Sequence, residues 1–130
     1  MSKYLADTSF LSALFNKGDV NHSKAMDISK DILDEYLIIP AIVIAELSGL
    51  RRNRKLRELV LENSFLMASE ISSFGEHNIM EYLAFRDFYE DNLKTFDSII
   101  LFFAINRNAK LLSFDKELNK KYEMVCENLF

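Results

Sequence analysis

Short apolar runs alternate with stretches of helical periodicity along this chain, and that alternation constrains the fold more than any other feature. Lys3 to Ala6 reads as a strand ending at Asp7, Leu37-Ile38-Ile39 as a second one closed by Pro40, and Lys110 to Ser113 as the clearest internal strand. Phe65-Leu66-Met67 and Met124-Val125-Cys126 are weaker strand candidates. Between them, cap-type residues Asp7-Thr8-Ser9 precede Phe10, Leu11, Leu14 and Phe15 at helical spacing. A second helix opens near Asn21 or His22, with Ala25, Met26, Ile28, Ile32 and Leu33 as its buried positions. Further helices are expected over Ala41 to Leu50, Arg51 to Asn63 (Leu56, Leu59 and Val60 inward), Ile79 to Tyr89 and Phe96 to Arg107, with a short helix after Phe114-Asp115 through Tyr122. Thr95 is placed to cap the helix that carries Asp97 in its first turn. Strands separated by helices need crossover connections, so the pattern predicts a three-layer α/β/α sandwich around a mainly parallel central sheet.

At 130 residues and 49% hydrophobic, the chain fits one domain over residues 1–130. The single cysteine, Cys126, cannot form an internal disulfide, and no Cys/His cluster offers a zinc site. It is read as a small core residue, and His22 and His77 as surface residues. No apolar run approaches the ~20 residues of a spanning helix, and Met1 to Asp7 lacks the pattern of a signal peptide. A cytoplasmic location without membrane contact is therefore expected.

Four acids stand in apolar surroundings: Leu5-Ala6-Asp7, Ile44-Ala45-Glu46, Phe96-Asp97-Ser98-Ile99-Ile100 and Ser113-Phe114-Asp115. Asp7 and Asp115 each follow a predicted strand, and ligand sites of open parallel sheets form outside the carboxyl ends of the strands. Glu46 sits one to two turns into a helix that begins where another strand ends. Asp97 opens an apolar helix. Grouped carboxylates raise one another's pKa values unless a cation neutralises them. Mg²⁺ or Mn²⁺ is the natural counter-charge, able to lower the pKa of a bound water and polarise a phosphodiester. The plainer reading of each aspartate is a helix cap; Glu46 resists that reading, because a Glu inside an apolar helix is seldom buried without a partner.

On these residues the chain resembles the PIN-domain ribonucleases, most of all the small VapC-type toxins of toxin–antitoxin pairs. The family's opening strand with Asp-Thr/Ser corresponds to Leu5-Ala6-Asp7-Thr8-Ser9-Phe10-Leu11, and its helix glutamate to Pro40-Ala41-Ile42-Val43-Ile44-Ala45-Glu46-Leu47. The third and fourth acids correspond to Phe96-Asp97-Ser98-Ile99-Ile100-Leu101 and Leu112-Ser113-Phe114-Asp115. One departure is visible: Leu101, Phe102 and Phe103 are bulky where the family commonly has small residues. The resemblance implies a metal-dependent endoribonuclease in which Asp7, Glu46, Asp97 and Asp115 hold Mg²⁺ or Mn²⁺. Thr8 and Ser9 would hydrogen-bond water or phosphate at the first helix's N-terminus, and Ser113 would orient Asp115.

An antitoxin and a second copy of the chain are the expected protein partners, docking on apolar surface around Phe74 to Tyr89 or on the first two helices. The competing readings are an RNA-processing PIN nuclease without an antitoxin and a non-catalytic PIN-like module that binds RNA or protein. Two aspartate-based phosphate enzymes do not fit. A haloacid-dehalogenase-like phosphatase needs a second Asp two residues after the first, where this chain has Ser9, and a receiver domain's pattern of an acidic pair near the start with a Lys late in the chain is not met.

The chain has 16 basic and 20 acidic side chains, yet Arg51, Arg52, Arg54, Lys55 and Arg57 crowd into seven positions with no acid among them. That segment is a candidate contact for an RNA backbone, giving salt-dependent binding. As a solvated helix face it would have no such role.

Overall fold

Leu37 to Pro40 form an unbroken buried run, as expected of a strand covered on both faces. A computed structural model describes residues 2–49, 53–89 and 92–129. In chain order its elements are β1 (Lys3–Ala6), α1 (Thr8–Phe15), α2 (His22–Asp31), β2 (Tyr36–Pro40), α3 (Ala41–Gly49), α4 (Arg54–Met67), β3 (Glu70–Ser72), α5 (Glu76–Phe88), α6 (Thr95–Asn106), β4 (Lys110–Leu112) and α7 (Lys116–Leu129). The four strands form one all-parallel sheet in the order β3-β2-β1-β4, flanked by helices. Leu5 pairs with Ile38 on one side and Leu111 on the other. The sheet therefore grows in both directions from β1, and the chain leaving β1 and β4 diverges at the carboxyl edge, where such sheets open a crevice.

Connectivity sets which helix ends meet that edge. α3 starts there directly after Pro40, and α7 starts there after β4. α6 runs into β4 through residues 107–109, so its C-terminus lies at the amino edge and its first turn at the carboxyl edge. α6 is buried from Ser98 to Ala104. Its bulky residues are matched by an aromatic cluster: Phe102 meets Tyr82 and Phe85 edge-on with centroids 5.8 and 5.6 Å apart, and Phe103 meets Phe74 at 6.0 Å. Such pairs add about 0.5–1.5 kcal/mol each beyond burial, so the bulk at residues 101–103 fits its surroundings.

Two predicted strands are helix. Phe65 and Leu66 are exposed in the last turn of α4, whose end continues through an Ala68 N–H donated to the Ser64 carbonyl; the strand, β3, comes three residues after that helix ends. Met124-Val125-Cys126 lies within α7, where Val125 and Leu118 are buried at helical spacing and Met124 faces outward. Thr95 is the first residue of α6 rather than its cap; Lys94 holds the cap position, with no side-chain hydrogen bond. The helix expected from Arg51 begins at Arg54, capped by Asn53 Oδ1 accepting from the Lys55 and Leu56 N–H groups. Residues 50–52 fall outside the described residues, and with them the Arg51 and Arg52 expectation. Met26, Leu33, Leu56 and Leu59, expected to be inward, are exposed. No helix among the described residues is long and apolar enough to cross a membrane.

Candidate active site

Asp7 is the N-cap of α1 and is buried. Its Oδ1 accepts from the Phe10 N–H at 3.0 Å and the Ser9 hydroxyl at 2.8 Å, and its Oδ2 accepts from the Ser113 hydroxyl at 2.5 Å. A carboxylate offers about four lone-pair positions; three are filled, and the fourth is on Oδ2. Burial pushes the Asp7 pKa up, the three hydrogen bonds oppose this, and the charge of Asp115 adds to the rise. The Ser113 hydroxyl also accepts the Asp115 N–H at 3.0 Å, and Ser9 Oγ accepts the Phe114 N–H at 2.9 Å. The two serines thus lace the β1 and β4 exits together, over Phe10 and Phe114 stacked 6.0 Å apart.

Asp115 caps α7, its Oδ1 accepting the Leu118 N–H at 3.1 Å. Asn119 Nδ2 donates to the Ser113 carbonyl at 2.8 Å and steadies the same turn. Asp97, in the first turn of α6, is half-buried, and its pKa is raised to about 6. Burial is the largest cause, followed by the negative charges of Asp115, Asp7 and Glu46; Lys94 opposes them more weakly. Carboxylates from three other segments therefore act on one group. Glu46 is exposed on α3, at the second turn past the carboxyl edge. Among the described residues no three His, Cys, Asp or Glu side chains stand close enough together, as placed, to hold a metal ion.

The remaining expected residues divide. Ser9 and Ser113 bind Asp7 directly, whereas the Thr8 hydroxyl makes no hydrogen bond among the described residues. Arg54 is exposed and paired with Glu58 at 3.1 Å, Lys55 is exposed, and Arg57 is half-buried. His77 is exposed, while His22 is half-buried and its Nδ1–H donates to the Ala13 carbonyl at 2.9 Å. Cys126 is half-buried.

Sequence reading missed a polar clamp at the opposite edge of the sheet. Arg107 grips Glu70 with two nitrogens, one at 2.6 Å, and the Tyr36 hydroxyl donates to Glu70 at 2.7 Å. Arg107 holds the Glu70 carboxyl down at about 2. The clamp joins the starts of β2 and β3 to the end of α6, the helix whose first turn carries Asp97. Its members lie 34 and 37 residues apart in sequence, so no local motif announces them.

A parallel sheet, a carboxyl-edge crevice and acids on the elements that meet there define an α/β protein of the PIN type. The chain belongs to the PIN-domain family, whose pattern it matches over residues 4–124. Members of that family are generally nucleases that use divalent metals. No curated protein matches the chain significantly in sequence. Among solved structures, it is similar to the VapC20 toxin of Mycobacterium tuberculosis, described as cleaving the sarcin-ricin loop, with a TM-score of 0.76 and 15% identity over 92% of this chain and 94% of that one. It is also similar to VapBC2 of Rickettsia felis, solved with a DNA fragment from its promoter, with a TM-score of 0.66 and 17% identity over 91% of this chain and 92% of that one. At such identities the likeness is one of fold.

Proposed function

We propose that the chain, as one domain, is a metal-dependent endoribonuclease and the toxin of a toxin–antitoxin pair, with Asp7, Glu46, Asp97 and Asp115 as catalytic and metal-holding residues. The observation that carries this reading is the field on Asp97, whose carboxyl is held near 6 by burial and by three other acids of the set. An all-oxygen, all-anionic donor set suits a hard divalent cation, Mg²⁺ or Mn²⁺. When bound, such an ion supplies charge neutralisation and Lewis acidity at the phosphodiester.

The chain's own residues then have distinct tasks. Asp7 is rigid, with a single acceptor position left to offer. Asp115 is fixed by its cap bond through Oδ1, leaving Oδ2 without a hydrogen bond among the described residues. Glu46 is exposed, and its rotatable stem can close the remaining distance. Asp97 stands in the first turn of α6 within reach of the charges of Asp115, Asp7 and Glu46, the repulsion that a bound cation would offset. Ser9 and Ser113 position Asp7, Ser113 also steadies Asp115, and Thr8 is assigned a contact to phosphate from the first turn of α1. Arg51, Arg52, Arg54, Lys55 and Arg57 are assigned to the RNA backbone; the exposed Arg54–Glu58 pair is worth only ~0.3–0.5 kcal/mol and yields readily to a phosphate.

The antitoxin and homodimer assignments rest on apolar surface. A groove of about 370 Å³ is lined by Phe15, Ile32, Leu33, Leu37, Leu66 and Met67, and α5 exposes Ile79, Met80, Leu83 and Phe88. The folds of VapC20 and VapBC2 support the toxin reading. The test is cleavage of tRNA and rRNA by the purified chain with Mg²⁺, Mn²⁺ or EDTA. Activity should need the metal, and Asp7→Asn and Asp97→Asn should abolish it while circular dichroism stays unchanged. Near-wild-type metal-dependent cleavage by both variants would overturn the site.

A further inference from the structure

β4 ends the sheet on one side, and no strand pairs with its outer edge among the described residues. Such an edge presents main-chain groups that need a cover, and the ladder with β1 says which they are. The Asp7 N–H donates to the Leu112 carbonyl at 3.1 Å, so Leu112, and Lys110 two residues before it, turn their main-chain groups toward β1. Main-chain direction alternates along a strand, so Ala109, Leu111 and Ser113 turn theirs away.

One face of α7 meets that outward row. Tyr122 donates its hydroxyl to the Ala109 carbonyl at 2.9 Å, and the Leu111 N–H is turned to the same oxygen. Burial and the neighbouring Cys126 push the Tyr122 pKa up to about 12, so the phenol keeps the proton it donates. Asn119, three residues earlier and therefore on the same face, donates Nδ2 to the Ser113 carbonyl at 2.8 Å. Two side chains of one helix thus do for β4 what a further strand would do.

The two bonds differ in what lies behind them. Tyr122 acts at the start of β4, at the amino edge of the sheet, whereas Asn119 acts at its exit, where the acids are. The Ser113 hydroxyl is the group that bonds two of those acids at once, donating to Asp7 Oδ2 at 2.5 Å and accepting the Asp115 N–H at 3.0 Å. β1 cannot hold the Ser113 main chain, which faces away from it, and no main-chain group bonds it among the described residues. Asn119 supplies that bond. Helical side chains lean toward the N-terminus, so Asn119, tied by its own N–H to the Asp115 carbonyl at 3.0 Å, reaches back over the first turn of α7 to Ser113.

We propose that Asn119 is a positioning residue of the acidic site: by holding the Ser113 carbonyl it aims the hydroxyl that Asp7 and Asp115 share, and so fixes the two acids relative to each other. The inference rests on the nuclease reading above and adds a residue that acts only through Ser113. Without the amide the Ser113 peptide can turn, and the turn releases Asp7 Oδ2 and the Asp115 N–H together. Losing the Tyr122 hydroxyl frees only the amino end of β4, beyond the bonds that join Leu112 to β1.

The test compares Asn119→Leu, which keeps the bulk without the donor, with Tyr122→Phe, which removes the other edge bond. Asn119→Leu should bind Mn²⁺ about tenfold more weakly in calorimetry without RNA. It should also cleave RNA with a lower kcat at unchanged KM, and exchange the Asp115 amide proton faster by NMR in EDTA. Tyr122→Phe should lose comparable stability in urea and keep wild-type values in all three measurements. Asn119→Leu matching the wild type in Mn²⁺ affinity and amide exchange would overturn the positioning role. So would Tyr122→Phe showing the same losses as Asn119→Leu, which would leave α7 as a cover for the edge and nothing more. A wild type that takes up no Mn²⁺ and cuts no RNA removes the nuclease reading; the Asp115 exchange rate then decides by itself whether Asn119 holds the shared hydroxyl.

Discussion

Replacing Asp97 with Asn should make the metal-free protein more stable while removing its activity. Asp97 is half-buried, and its pKa is raised from 3.8 to about 6 by burial and by the charges of Asp115, Asp7 and Glu46. The folded state thus holds a proton that the unfolded state releases, and wild-type stability falls as pH rises from 3.8 through about 6. Two pKa units correspond to about 3 kcal/mol. Solvent screening of a half-exposed carboxyl cuts this to about 1–2 kcal/mol at neutral pH. Asn keeps the shape without the charge, and no side-chain hydrogen bond of Asp97 is lost among the described residues. For 130 residues, an unfolding entropy of roughly 0.3 kcal/mol per kelvin converts this to a Tm about 4–7 °C higher. Thermal melts in EDTA should show that gap at neutral pH and its disappearance below about pH 4. Saturating Mn²⁺ should raise the wild-type Tm and leave Asp97→Asn behind, reversing the order. A variant no more stable than wild type in EDTA, or a gap that persists in acid, would refute the claim that crowded like charges load this site.

Ser113→Ala removes the donor to Asp7 Oδ2 and the acceptor of the Asp115 N–H, so RNA cleavage should fall about 10–100-fold; Ser113→Thr should restore it, and the acid limb of the pH profile should move upward in the alanine variant because that hydrogen bond lowers the Asp7 pKa. Glu70→Gln should cost about 1–2 kcal/mol at neutral pH; since the Glu70 pKa is lowered from 4.5 to about 2, urea titrations should show the difference intact above 4.5 and shrinking as pH falls toward 2. Ser72 Oγ is buried at the carboxyl end of β3 without a partner among the described residues, so Ser72→Ala should be neutral or stabilising by up to about 1 kcal/mol in the same assay.

How far the site could be read from the sequence depended on whether each role left a local mark. Asp7 and Asp115 were legible as candidates because each directly follows a strand and caps a helix at the carboxyl edge of the sheet. Asp97 was legible from its place before seven consecutive buried residues of α6. The saturation of three acceptor positions on Asp7 was not, since Ser113 lies 106 residues away and only the parallel register of β1 with β4 brings it alongside. Phe65-Leu66-Met67 misled because a three-residue apolar run carries too few positions to separate period 2 from period 3.6. Leu33, Leu56 and Leu59 were placed inward by helical periodicity and still face outward. Periodicity identifies residues that share a face and says nothing about what covers it. Just past α2 and in α4 those residues line the open hollows beside Phe15 instead of entering the core, so the pattern that misplaced them as core marks an apolar surface on which a partner is proposed.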